Sequence, residues 1–282
     1  MSGPVTVLVP THSHGATLGL SVRSALAQSV PDLDVIIVGD GASEETIDAA
    51  NELVREDGRV RFLEFPKGER HGERSRHLAL DGARGDVVCY LADDDLWLPD
   101  HVACMCELLQ SADFAFGVRL MAHPSGEYEI ERVDLAQPSV RERLLAGLNN
   151  ASLSTVAHTM RAYRALPFGW RPAPPGVSPP WYMWQQFLAD PDCRAITGTR
   201  LTSINFPDSW RMGWTTADRA REIAPAAARL SDPAFHYDLH RRALTSALSK
   251  WAHIDAHVHK VERYVDHLKE QIEALRHDAQ RA

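Results

Sequence analysis

The chain has 282 residues, with 30 Lys and Arg against 38 Asp and Glu, a formal charge of −8. At 44% hydrophobic and 24% charged residues it has the composition of a folded globular protein, long enough for one large domain or a domain with an appendage. A net acidic chain lacks the electrostatic footprint of a nucleic-acid binder, no apolar run approaches the roughly 20 residues that span a bilayer, and the first residues carry no secretory pattern. The four cysteines, Cys89, Cys104, Cys106 and Cys193, form no disulfide framework and point to a reducing, cytoplasmic setting.

The first half alternates strands and helices. Residues 5–9 form an apolar run, and Leu18, Val22, Ala25 and Leu26 follow at helical spacing. Val35 to Val38 make a second strand. Ser43 is a helix N-cap, Glu44 and Glu45 suit the positive helix start, and Ile47, Ala50 and Val54 share one face. Residues 60–65 read as a strand, 70–83 as a helix and 87–92 as a strand. Pro99 suits the first turn of the next helix. Near-continuous apolar strands separated by helices predict a mostly parallel sheet covered on both faces, with ligands at the carboxyl ends of its strands. Attention therefore falls on residues 10–14, 40–43 and 93–95.

The middle is less regular. Residues 113–121 and 127–130 read as strands about a Pro124-Ser125-Gly126 turn, 141–148 as a short helix, and 171–180 as a proline-rich loop before an aromatic helix over 181–189. The expected divisions are 1–112, 113–214 and a helical region 215–282. Within the last, Trp251, Ile254, Val258, Val261, Val265, Leu268, Ile272 and Leu275 make a heptad seam over 251–275. Such a seam predicts a coiled coil, and β-branched a positions with Leu at d favour a parallel dimer. Packing on its own domain is the plainer reading of the same helix.

Asp93-Asp94-Asp95 follows a buried strand. Three adjacent carboxylates repel one another unless a cation neutralises them, and carboxylates two apart at a turn can converge on one hard divalent ion. Other motifs fall away. Cys104 and Cys106 point about 200° apart on a helix. No Gly-x-Gly-x-x-Gly or Walker lysine follows the first strand, which excludes a dinucleotide-dependent dehydrogenase and a P-loop NTPase.

Four segments occur in order: Val-Thr-Val-Leu-Val-Pro-Thr-His (5–12), Asp-Val-Ile-Ile-Val-Gly-Asp-Gly-Ala-Ser (34–43), Ser-Arg-His-Leu-Ala-Leu-Asp-Gly-Ala-Arg-Gly-Asp (75–86) and Leu-Ala-Asp-Asp-Asp-Leu-Trp-Leu-Pro-Asp-His (91–101). Together they resemble the family 2 glycosyltransferases of GT-A fold, over roughly the first 110 residues. The resemblance implies a nucleotide-sugar-binding half over 1–112 and an acceptor-side half over 113–214. Pro10, Thr11 and His12 would lie along the nucleotide base, with His12 where the family often has an aromatic ring. Asp40 would hold the base or ribose, although Gly39 replaces the usual preceding Asp. Arg76 would face the nucleotide. Asp93 and Asp95 are the expected ligands of Mn²⁺ or Mg²⁺, with Asp95 the first choice and Asp93 or Asp94 on ribose or metal. Arg211, in a late loop, would close over the diphosphate, and Trp181 would line the acceptor pocket.

The implied reaction is inverting transfer from a nucleoside diphosphate sugar, a uridine donor being common in the family, to an unidentified acceptor. The family's usual Asp base precedes the aromatic helix, where this chain has Pro180. Three readings stay open: a base from elsewhere, an acceptor needing none, or lost activity. His158 is the expected base, because imidazole titrates near neutrality, with Asp190 and Asp192 as alternatives. The competing function is a degenerate glycosyltransferase-like scaffold that binds a nucleotide sugar or partners without catalysis.

Overall fold

The computed structural model describes residues 3–147 and 152–281, and the side chains of the last helix as far as His267, with Lys269. The chain runs β1 (Val5–Thr11), α1 (Gly15–Leu26), β2 (Leu33–Asp40), α2 (Glu44–Glu56), β3 (Val60–Phe65), α3 (Glu73–Asp81), β4 (Val87–Tyr90), β5 (Leu96–Trp97) and α4 (His101–Leu108). It continues through β6 (Phe114–Ala122), β7 (Tyr128–Arg132), α5 (Pro138–Leu145), β8 (Val156–Thr159), α6 (Met160–Ala165), α7 (Pro179–Ala189), β9 (Ala195–Asn205), α8 (Thr216–Ala227) and α9 (Pro233–Arg281). Ser43 caps α2 by accepting the Thr46 N–H, as its position before two glutamates predicts.

One sheet runs β3-β2-β1-β4-β8-β6-β9-β5, with β7 paired to β6. The first four strands are parallel, as expected. Beyond β4 the sheet is mixed: β8 lies antiparallel to both β4 and β6, β9 returns parallel to β6, and β5 is antiparallel to β9. Apolar runs buried on both faces look alike in either direction, so composition alone does not reveal this reversal.

Strand alternation divides the core. Val7, Val9, Val35 and Ile37 pack under α1, α2 and α4. Leu8, Ile36, Val38 and Tyr90 face the other way, against α3, α6 and α7. A third cluster, including Leu96, Leu120 and Ile204, holds α8 and the start of α9 against the far end of the sheet. The short β8 thus lies mid-sheet with helices on both sides, so nothing it carries reaches solvent easily.

Later in α9 the heptad residues Trp251, Ile254, Val258, Val261 and Val265 are all exposed, between 41% and 66%. The plainer expectation, that this stripe packs on its own domain, does not hold for these five. The side chains of Leu268, Ile272 and Leu275 lie outside the described residues.

Candidate functional site

A cleft of about 540 Å³ opens beyond the carboxyl ends of β1, β2 and β4. It gathers six of the residues singled out from sequence: Pro10, Thr11, His12, Asp40, Arg76 and Asp93. At one end lies Asp40, 5% exposed. Its carboxylate accepts from Lys67 Nζ at 2.5 Å, the Gly68 N–H at 2.9 Å and the Ser75 hydroxyl at 3.1 Å. Burial alone would raise its pKa, but these donors reverse that and hold it below the usual carboxylate range. His12 Nδ1 lies 2.9 Å from the Asp40 carbonyl oxygen, so the first loop is tied to the end of β2.

The sequence reading missed Lys67 and the loop that carries it, since a Pro-Lys-Gly stretch reads as an ordinary turn. Gly72 allows that loop to close. Its φ is +78°, and a Cβ there would stand 2.8 Å from Asp40 Cβ, so a side chain would break both the turn and the approach. Arg76 then projects from α3 over the Trp170 ring, 4.8 Å from its centroid. Nη2 donates to the His71 carbonyl at 2.8 Å, while Nε and Nη1 are buried without a protein partner. A cation with free N–H groups in a cleft is a ready seat for a phosphate or a ribose oxygen.

The acidic triplet ends in three different environments. Asp93 faces His14, with Nδ1 at 3.2 Å, and that contact raises the imidazole pKa. Asp94 pairs with Arg219 of α8. Burial, then the neighbouring Asp95 and Asp93, push Asp94 up to about 7. Asp95, the expected first-choice ligand, meets protein donors in this structure. Its Oδ1 accepts the Phe206 N–H at 2.9 Å, and Oδ2 accepts the Ser154 hydroxyl at 2.6 Å and the Asn205 amide. Those donors bury the carboxylate at the start of β5, where it ties that strand to the end of β9.

A group that could hold an ion is formed instead by His14, Asp94 and Asp208, whose donor atoms all lie within 4.8 Å of one another. One imidazole and two carboxylates suit Mn²⁺ and leave positions for phosphate oxygens. Asp208 and Arg219 were not anticipated; they lie over a hundred residues from the triplet, and only the fold shows that they return to it.

Three expected site residues sit elsewhere. His158 is wholly buried on β8. Its Nδ1 faces the Thr159 carbonyl at 3.1 Å, so Nε2 accepts the Tyr90 hydroxyl at 2.7 Å, and that oxygen in turn accepts the Trp170 indole N–H at 3.0 Å. An imidazole sealed in this way takes no proton from an acceptor. Arg211 is 3% exposed and gripped by Glu222 and the Pro207 and Ala122 carbonyls, so it is an anchor rather than a free loop cation. Trp181 gives its indole N–H to the Leu144 carbonyl at the end of α5 and does not line the cleft. The alternative base Asp190 caps the far end of α7 from Ser178, holding the Asp192 N–H at 2.9 Å.

Burial pushes the His158 pKa down to about 4, below its unfolded value of 6.5. Its contribution to stability is therefore full above pH 6.5 and is lost as pH falls toward 4, an effect of about 3 kcal/mol. His158→Phe should flatten the fall in melting temperature between pH 7 and pH 4.5 relative to wild type. Identical slopes would contradict a buried neutral imidazole.

Comparison with known proteins identifies the family and the fold. The family described as "Glycosyl transferase family 2" matches residues 6–169, more than half of the chain. A GalNAc(5)-diNAcBac-PP-undecaprenol beta-1,3-glucosyltransferase of Campylobacter jejuni is 27% identical over 128 residues, 45% of this chain and 39% of that protein. A chondroitin synthase of Pasteurella multocida is 33% identical over 113 residues, 39% of this chain and 11% of that protein. The chain thus spans less than half the length of these relatives. Among solved structures, S. aureus TarS 1-349 in complex with UDP-GlcNAc superposes with a TM-score of 0.57 at 13% identity, over 80% of this chain and 66% of that one. The mannosyltransferase PcManGT from Pyrobaculum calidifontis, in complex with GDP-Man and Mn²⁺, gives 0.53 at 17% identity, over 88% and 81%. The mixed α/β sheet with flanking helices is thus the GT-A fold.

Proposed function

Since the chain belongs to glycosyl transferase family 2 and is a transferase by that membership, we propose that it moves a sugar from a nucleoside diphosphate sugar, a uridine donor being favoured, to an acceptor, with inversion and a divalent ion. One observation carries this: Asp40, Arg76, His14 and Asp208 line one cleft, and the last two come together with the buried Asp94 in a cluster of ligating atoms. TarS with UDP-GlcNAc and PcManGT with GDP-Man and Mn²⁺ support both the donor class and the ion.

In this reading Asp40 accepts base N–H groups in place of Lys67, and His12 offers its ring to the base. Arg76 donates to the sugar-phosphate part. His14, Asp94 and Asp208 would hold Mn²⁺ or Mg²⁺, which when bound would supply positive charge against the diphosphate. Asp93 orients His14 through the Nδ1 contact. The start of α7 supplies no carboxylate, Pro179 and Pro180 occupying its first turn. That same gap favours the second reading, a scaffold that binds donor without transfer. Titrating UDP, GDP, CDP and dTDP with Mn²⁺, Mg²⁺ or chelator separates the two when followed by donor turnover. Ion-dependent binding of one nucleotide with turnover supports the transferase, and binding without turnover against a panel of acceptors supports the scaffold.

The exposed seam of α9 is proposed to pair with a second copy of the chain. Val258→Asp with Val261→Asp should convert a dimer to a monomer in sedimentation, and an unchanged mass would overturn the pairing. No helix of the described residues is long and apolar enough to cross a membrane. The free thiols Cys89, Cys104, Cys106 and Cys193 support a cytoplasmic location.

A further inference from the structure

The carboxylates of the ion cluster already share a cation. Arg219 reaches in from α8 and its guanidinium pairs with Asp94 and with Asp208. The residue is 4% exposed, and Nη2 also donates to the Phe206 carbonyl at 2.6 Å. Its Nε is buried without a protein partner. Asp208, by contrast, has a side chain 74% exposed, held over the cleft from a short 3-10 turn, Asp208–Trp210.

A divalent ion held by His14, Asp94 and Asp208 would meet this guanidinium at the same two carboxylates. Two cations on one pair of carboxylates repel, most strongly at the buried Asp94, where water screens them least. The anion inventory is limited, because Asp95 faces away and is spent on Ser154, Asn205 and Phe206.

We propose that Arg219 is the resident counter-cation of Asp94 and Asp208, and that a divalent ion binds by displacing it from them. The arginine keeps the ion-free cluster neutralised and makes binding of the ion alone weak. A nucleoside diphosphate changes the balance, because its phosphates bring negative charge that faces both cations. Ion and nucleotide then bind better together than apart, and the coupling is reciprocal. This inference rests on the ion-site reading above and adds to it which residue sets the threshold.

The test is Mn²⁺ alone, titrated by calorimetry into wild type, Arg219→Gln and Arg219→Lys, then repeated with UDP present. Arg219→Gln should bind Mn²⁺ alone about ten-fold more tightly, the scale of one charge-assisted contact. Arg219→Lys should stay near wild type, and the gain on adding UDP should shrink in the Gln variant. Equal Mn²⁺ affinity in wild type and Arg219→Gln overturns this inference and leaves the ion site standing. Absence of Mn²⁺ binding from every form overturns the ion site as well. Should Arg219→Gln fail to fold, a wild-type crystal soaked in Mn²⁺ decides: a guanidinium withdrawn from both carboxylates supports displacement, and one still bridging them beside the ion overturns it.

Discussion

Asp94→Asn will bind UDP no better with Mn²⁺ than with chelator, and its sugar transfer will fall by about 10²–10³-fold, the scale of removing one preorganised electrostatic group from a leaving-group site. Asp94 supplies an oxygen to the only His/Asp cluster of ligating geometry found among the described residues. The amide keeps the shape of the carboxylate but is a far poorer ion ligand. The fold should survive, because repulsion within the triplet falls while Arg219 keeps Asp208 and the Phe206 carbonyl as partners. Melting temperature, far-ultraviolet dichroism and nucleotide calorimetry on the same preparation separate these effects. An Mn²⁺-linked gain in UDP affinity that persists in Asp94→Asn would place the ion elsewhere.

Asp95→Ala should behave in the opposite way. It leaves the Ser154 hydroxyl, the Asn205 amide and the Phe206 N–H without their acceptor in a buried junction. Stranding buried donors around a removed charge costs about 3–5 kcal/mol, which for a domain of this size lowers the melting temperature by roughly 6–20 °C. The folded fraction should retain its Mn²⁺ affinity. A variant of unaltered stability that has lost Mn²⁺ would return Asp95 to the ion shell, where the acidic triplet first suggested it.

The contrast between these neighbours shows where the sequence was legible. The apolar runs of β1, β2 and β4 and the polar residues after them were enough to locate the cleft, because a parallel sheet always presents its strand ends to a ligand in this way. The direction of each carboxylate was not legible. Asp93, Asp94 and Asp95 are equivalent in composition, and their fates depend on Ser154, Asn205 and Arg219, donors brought by distant segments. His158 misled for a related reason: Val-Ala-His-Thr reads as a short strand at a site edge until β4 and β6 are seen to flank it. Local signals did exist for α8, whose Thr215 and Asp218 form a capping box. Nothing local shows that the next residue, Arg219, turns back toward Asp94.

The last helix has a consequence for how the cleft meets its acceptor. Lys250 fastens α9 to β7 by donating to the Ile130 carbonyl at 2.8 Å. From there to Arg281 the helix continues for 31 of its 49 residues, an arm of about 45 Å. Paired with a second copy as proposed above, an arm docked at its root and helical along its length would keep a set distance and angle between the two clefts. An acceptor with many attachment points, once held at one cleft, would present the others to the second at a raised effective concentration, whereas an acceptor with a single point would gain nothing. Turnover on repeating acceptors should therefore depend on the arm, and turnover on short ones should not.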